Sequence, residues 1–231
     1  SSPFFWDPIE AGGGAMMDYG CHAVTLAMFL VGFKSKVLSV KSTGISRVFR
    51  NRPLRGLMQE IHVDDDVHVK ILFEDLGRKN CIVTSLQSGW VDSLRGTGRD
   101  YDCYLRVIGS EGEITGGEDE EGKQFIKVEK FGYGYKRLDV PPPITGVIEE
   151  IMNAIKSFLR ALKDGKEPFT NVDYGLKNMA IMGAAYLSEL RGRVSVTLEE
   201  FQEFCKCVAS KCKREEEVPV AIIKELMKPY Q

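Results

Sequence analysis

The chain of 231 residues is defined first by what it lacks. It has no excess of either charge, since 31 Lys and Arg against 33 Asp and Glu leave a net of −2. Nucleic-acid binding calls for a basic stripe, so that class of partner is not expected. No run of about eighteen consecutive apolar residues occurs, so a membrane span is not expected either. There is no internal repeat and no low-complexity tract, and 43% hydrophobic residues is too many for disorder. The six cysteines are scattered instead of sitting at framework spacing. Free thiols in a reducing cytoplasm follow from that usage better than a disulfide scaffold does. Histidine and tryptophan are scarce, with 3 and 2 copies, so each position of either type is informative.

The elements that are present segregate. Ala15 to Val31 reads as a helix that is apolar almost all round, stopped by Gly32. That predicts burial on most sides. Strand signals follow at 37–44, 67–73, 81–88, 104–108, 113–115 and 124–130, the clearest being the alternation of Val67, Val69, Ile71 and Phe73 with polar neighbours. Short connections imply antiparallel pairing. Residues 45–60 and 89–102 read as loops. After Pro141-Pro142-Pro143 the period changes to that of helices. Ile148, Ile151, Met152, Ile155, Phe158, Leu159 and Leu162 form one apolar stripe. Asp173 is placed to cap a second helix reaching to about Arg191, and Thr197 with Glu200 forms a capping box for a third. Its buried stripe is Leu198, Phe201, Cys205, Val208 and Cys212. Strands grouped together and helices grouped together predict an α+β fold, an open and mainly antiparallel sheet with helices on one face. Apolar residues on both strand faces call for a cover on the other side, by a second copy or another domain.

Asp18 and His22 stand out in the apolar helix. At i,i+4 they share one face. A carboxylate beside an imidazole fixes its tautomer and raises its basicity, which suits a general acid/base near neutral pH. The alternative is a helix histidine with a carboxylate partner and no catalytic role. The preceding Gly12-Gly13-Gly14 lets a ligand approach the backbone closely.

The segment Gly12-Gly13-Gly14-Ala15-Met16-Met17-Asp18-Tyr19-Gly20-Cys21-His22-Ala23 resembles the start of the C-terminal domain of the Gfo/Idh/MocA oxidoreductases. The likeness continues through Leu30-Val31-Gly32, Asp65-Asp66 before a strand, Leu105 to Gly112, the helix of 148–162, and Val172-Asp173-Tyr174-Gly175-Leu176. It covers about residues 4–200. The resemblance implies one domain over 1–231, for substrate binding and oligomerisation. Residues 1–14 would lead in from an absent N-terminal Rossmann domain, and 214–231 would be a C-terminal extension. It implies an NAD- or NADP-dependent dehydrogenase acting on a sugar, inositol or similar polyol, cytoplasmic and homo-oligomeric through the open sheet face. His22 would be the acid/base, Asp18 its orienter or a substrate ligand, and Trp6 substrate-binding. Trp90 follows a strand, where it either lines the site as a second substrate-binding residue or packs at the sheet interface. The family's Arg after the Trp and Asp three after the His are replaced here by Asp7 and Thr25. The cofactor would be bound mainly by the absent domain. Gly96-Thr97-Gly98 follows no good strand and opens no helix, so it is no dinucleotide fingerprint. The start at Ser1 then reads as a truncation ahead of the glycine run. A stand-alone, non-catalytic ligand-binding or oligomerisation module is the alternative from another class.

Other groupings carry less. Cys205, Cys207 and Cys212 lack a fourth ligand for zinc, and core packing accounts for them better. His62, Asp64, Asp66 and His68 would share one face if the strand extended that far, but the family pattern has acidic residues there without a metal, so no metal is expected. Arg47, Arg50, Arg52 and Arg55 read as a solvated loop.

Overall fold

The computed structural model describes residues 3–54, 56–77, 80–91, 105–119, 121, 123–140, 147–169 and 171–230. Cys103, Arg55, Gly96-Thr97-Gly98, Pro141-Pro142-Pro143 and most of the expected 89–102 loop lie outside the described residues. The strands are β1 (Val37–Ser46), β2 (Asn51–Leu54), β3 (Leu57–Glu60), β4 (Asp66–Glu74), β5 (Cys81–Gly89), β6 (Arg106–Ile108), β7 (Gly112–Glu118), β8 (Gln124–Lys130) and β9 (Gly134–Asp139). The helices are α1 (Pro8–Ala11), α2 (Cys21–Val31), α3 (Val147–Lys163), α4 (Val172–Leu190), α5 (Leu198–Ala209) and α6 (Val218–Leu226). The fold is α+β with antiparallel pairing throughout, as the segregated pattern implies. The described strands form three sheets, ordered β1-β4-β5, β2-β3 and β6-β7-β8-β9. The chain divides into two compact units, residues 1–97 with 172–231, and residues 98–171.

In the first unit the alternation of β4 does what its period demands. Val67, Val69, Ile71 and Phe73 are buried, and α4 lies against β1 with Ile181, Ala184, Ala185, Tyr186 and Leu187 in the same core. Backbone pairing of Val40 with Val196 fastens the loop after α4 to β1. The Thr197–Glu200 capping box opens α5 as the sequence predicts. Gly183 lets α5 come close, because a Cβ there would meet Phe201. Asp173 lies within the first turn of α4, not at its cap, because the helix begins one residue earlier. The terminal segment is part of the core, with Leu226, Met227 and Tyr230 buried.

Three expectations change. Residues 45–60 contain the β2–β3 hairpin, and its Arg52 is buried instead of solvated. The apolar helix is not buried all round. Val24, Ala27 and Met28 enter the core, while Phe29 and Leu30 are exposed. By length and mean hydropathy alone, 1.3 over its best window, the stretch Pro8–Val31 could cross a membrane. In this structure it instead contributes Met16, Val24 and Met28 to the core.

The second unit holds the β6–β9 sheet and α3. Tyr133 and Tyr135 flank the start of β9, a strand the sequence reading missed. None of its described residues is buried. The α3 stripe of Ile151, Met152, Ile155, Phe158, Leu159 and Leu162 is exposed.

Candidate functional site

The site is built around the start of the helix that carries Asp18 and His22. Met16–Gly20 forms a π-helical turn that runs directly into α2. Such turns insert an extra residue and are enriched at functional positions. Asp18 lies inside it.

A buried carboxylate holds the helix start. Asp64 accepts from the backbone N–H of Gly14 at 2.9 Å, from that of Met16 at 2.8 Å, and from the Tyr186 hydroxyl at 2.6 Å. Its carbonyl oxygen accepts from the Ala15 N–H at 2.9 Å. These are the donors that the first turn of a helix leaves open, and a carboxylate there also complements the helix dipole. Burial pushes the Asp64 carboxyl above its usual range, against the pull of those hydrogen bonds. Burial and the neighbouring Asp64 charge raise the Tyr186 phenol strongly, so it remains a donor.

This arrangement corrects the reading of the glycine run. The close approach that Gly12-Gly13-Gly14 allows is made by the protein itself. A Cβ on Gly14 would lie 1.9 Å from the Asp64 carbonyl oxygen, and one on Gly13 would lie 2.4 Å from the Tyr186 hydroxyl.

Asp65 organises the other side. Its carboxylate accepts from the backbone N–H of Val48 at 2.6 Å and of Phe49 at 3.0 Å, and pairs with Arg52 at 3.1 Å. Its carbonyl accepts from the Trp90 backbone N–H at 2.8 Å. The Trp90 indole N–H then donates to Asp18 Oδ2 at 2.9 Å.

The structure therefore joins two of the four predicted site residues, Asp18 and Trp90. His22 follows Asp18 on the exposed face of the helix, with no hydrogen bond or ion pair to Asp18 among the described residues. Asp18 consequently orients towards Trp90 and not towards the imidazole. Trp6 is 5% exposed and borders a cavity of about 380 Å³ with Phe4, Asp7, Glu10, Glu60 and His62.

The possible metal grouping comes apart because β4 starts at Asp66. Ahead of it, Asp64 and Asp65 are both fully buried and face different partners. His68 lies 3.3 Å from Asp66, and His62 stays exposed beside Glu60. Among the described residues no three His, Cys, Asp or Glu side chains converge. Sequence reasoning missed Tyr186, and it gave Arg52 to a solvated loop and Asp64 to a possible metal grouping. The available signal for Asp64 and Asp65 was their position between the apolar Ile61 and Val63 and the start of a buried strand.

Comparison with known proteins gives these elements a context. Residues 1–115 match the family model described as GFO/IDH/MocA C-terminal domain. No curated protein sequence matches the chain. An NAD binding oxidoreductase from Klebsiella pneumoniae superposes with a TM-score of 0.63 at 20% identity, covering 84% of this chain and 53% of its own. The transcriptional regulator Gal80p from Kluyveromyces lactis superposes with a TM-score of 0.63 at 13% identity, covering 87% of this chain and 49% of its own. The chain thus spans about half the length of these two solved relatives.

Proposed function

We propose, for a chain whose residues 1–115 belong to the GFO/IDH/MocA C-terminal domain family, that it carries the substrate side of an NAD(P)-dependent oxidoreductase. The observation that carries this reading is the position of Asp18 and His22. A buried carboxylate clamps the helix start ahead of them, Trp90 fixes Asp18, and His22 is left open to a substrate. The substrate is a sugar, inositol or similar polyol. His22 takes the proton of its hydroxyl, or returns it to the carbonyl. Asp18 holds the substrate with the oxygen that does not accept from Trp90.

The start of the helix that carries Asp18 and His22 offers no dinucleotide cradle. A cradle needs free backbone N–H groups at a helix start. Here the N–H groups of Gly14, Ala15 and Met16 are all taken by Asp64. In this reading NAD or NADP is bound mainly by another domain, and His22 acts only on the substrate proton. The open outer face of β1-β4-β5, with Val83 61% exposed, suits contact with a second copy. A cytoplasmic setting fits the unpaired thiols of Cys21, Cys81, Cys205, Cys207 and Cys212.

The test uses the protein at its full natural length with NAD(P) and a panel of polyols. His22→Ala is expected to lower kcat by about 10²–10⁴-fold, the range for a lost general acid/base, with cofactor affinity unchanged. Equal turnover in the variant would remove His22 from the chemistry. The fold likeness to a transcriptional regulator, and an imidazole with no carboxylate partner among the described residues, favour a second reading as a non-catalytic ligand-binding module. Saturable polyol binding with no turnover in the wild type would select it.

A further inference from the structure

We infer that Arg52 is a positioning residue for Asp18, acting through Trp90. Arg52 is 7% exposed although it lies in a short two-stranded hairpin. Its guanidinium carbon lies 5.6 Å from the ring centroid of Phe49 and 5.6 Å from that of Trp90. One Nη bonds Asp65, whose own carbonyl holds the Trp90 backbone. Trp90 is thus held through its backbone by Asp65 and across its ring face by the cation that Asp65 retains. The only indole donor, Nε1–H, is aimed at Asp18 Oδ2.

The physical case rests on cost. Burying a guanidinium and a carboxylate requires strong compensation, and a buried ion pair is often no more stabilising than an apolar pair of the same volume. Among the described residues the Arg52 Nε finds no acceptor. That arrangement is poor for stability alone. It is well suited to holding a flat ring in one orientation, because a planar guanidinium stacks where an aliphatic chain only fills space. A cation over the ring face also polarises the indole and strengthens its N–H as a donor. The consequence for Asp18 is one rotamer, with one oxygen committed to Trp90 and the other left for a ligand.

The catalytic part of this inference rests on the dehydrogenase reading, so the test has an arm that does not. In the full-length protein labelled with ¹⁵N-tryptophan, the Trp90 indole resonance is assigned by its loss in Trp90→Phe. In Arg52→Met that resonance should move towards the exposed-indole position and exchange faster with solvent, while the Trp6 resonance stays where it is. Arg52→Lys, which keeps the charge without the plane, should show a smaller shift in the same direction. It also serves if the Met variant fails to fold. An unmoved Trp90 resonance in the folded variant would overturn the inference, as would equal movement of Trp6, the mark of a merely structural role. With turnover, kcat should fall by about tenfold while KM changes less than about twofold, the pattern of a lost orientation. An unchanged kcat beside a displaced indole would also overturn it. A wild type without turnover rejects the dehydrogenase reading, and the resonances alone then decide the role of Arg52.

Discussion

The two compact units use the same antiparallel pairing and hold it in different ways. In the β1-β4-β5 sheet, alternate side chains of the central strand are buried in the core that α4 also enters. In the β6–β9 sheet the edge strand β9 is exposed along its whole length. The second unit is laced at its surface instead. Arg106 makes a two-pronged contact with Glu113, and Arg137 reaches both Asp119 and Asp139. Lys127, Lys130 and Arg137 also lie over the rings of Tyr135, Tyr133 and Phe125. Apolar burial is not screened by salt, whereas exposed ion pairs are. The first sheet can therefore serve as a fixed frame for Asp18 and His22. The second is expected to depend on its ionic surroundings.

The largest break in this contrast should come from Phe73→Ala. Phe73 is fully buried in β4, and its truncation is expected to destabilise the first unit by about 3–5 kcal/mol. Denaturant unfolding would measure it, and a loss below about 1 kcal/mol would mean the first sheet is not core-held either.

Asp64 gives an intermediate effect that adds pH to the comparison. Asp64→Asn turns one acceptor into a donor facing backbone N–H groups, and should destabilise by about 1–3 kcal/mol. The folded carboxyl is raised above its ordinary 3.8, so the native state holds its proton to higher pH than the unfolded chain does. The contribution of this group to stability is then full below 3.8 and declines as pH rises through the higher folded value. The Asn variant should lack that decline in thermal melts across the same range.

The smallest effect is expected from Arg137→Gln in the second unit. Its bonds to Asp119 and Asp139 are exposed, and the loss should vanish in about 1 M salt, where screening acts within about 3 Å. A salt-independent loss would show that the two units are held alike after all.

What could be read in advance follows the range of the forces. The β4 alternation, the Gly32 stop and the Thr197–Glu200 capping box are local, and each stands where its spacing put it. The hairpin at 51–60 was hidden because Pro53 and a run of arginines resemble a solvated loop. Arg52 becomes a core residue only through Asp65, thirteen positions away. Asp64 was hidden for the same reason, since its partners Gly14 and Tyr186 are 50 and 122 residues distant. Helical spacing placed Asp18 beside His22. A tertiary contact, from Trp90 at a distance of 72 residues, drew it away.

The π-helical turn makes the site depend on a number as well as on residue identities. Asp64 anchors Met16 at one end, and the Asn178 amide anchors Cys21 and Thr25 at the other, at 2.9 and 2.6 Å. Loss of one codon between Met16 and Gly20 would let the segment relax into ordinary helix, where each residue turns the chain by about 100°. One anchor would then have to release, or His22 would swing away from its present direction. The length of this five-residue segment is thus a constraint of its own, separate from the identities of its residues.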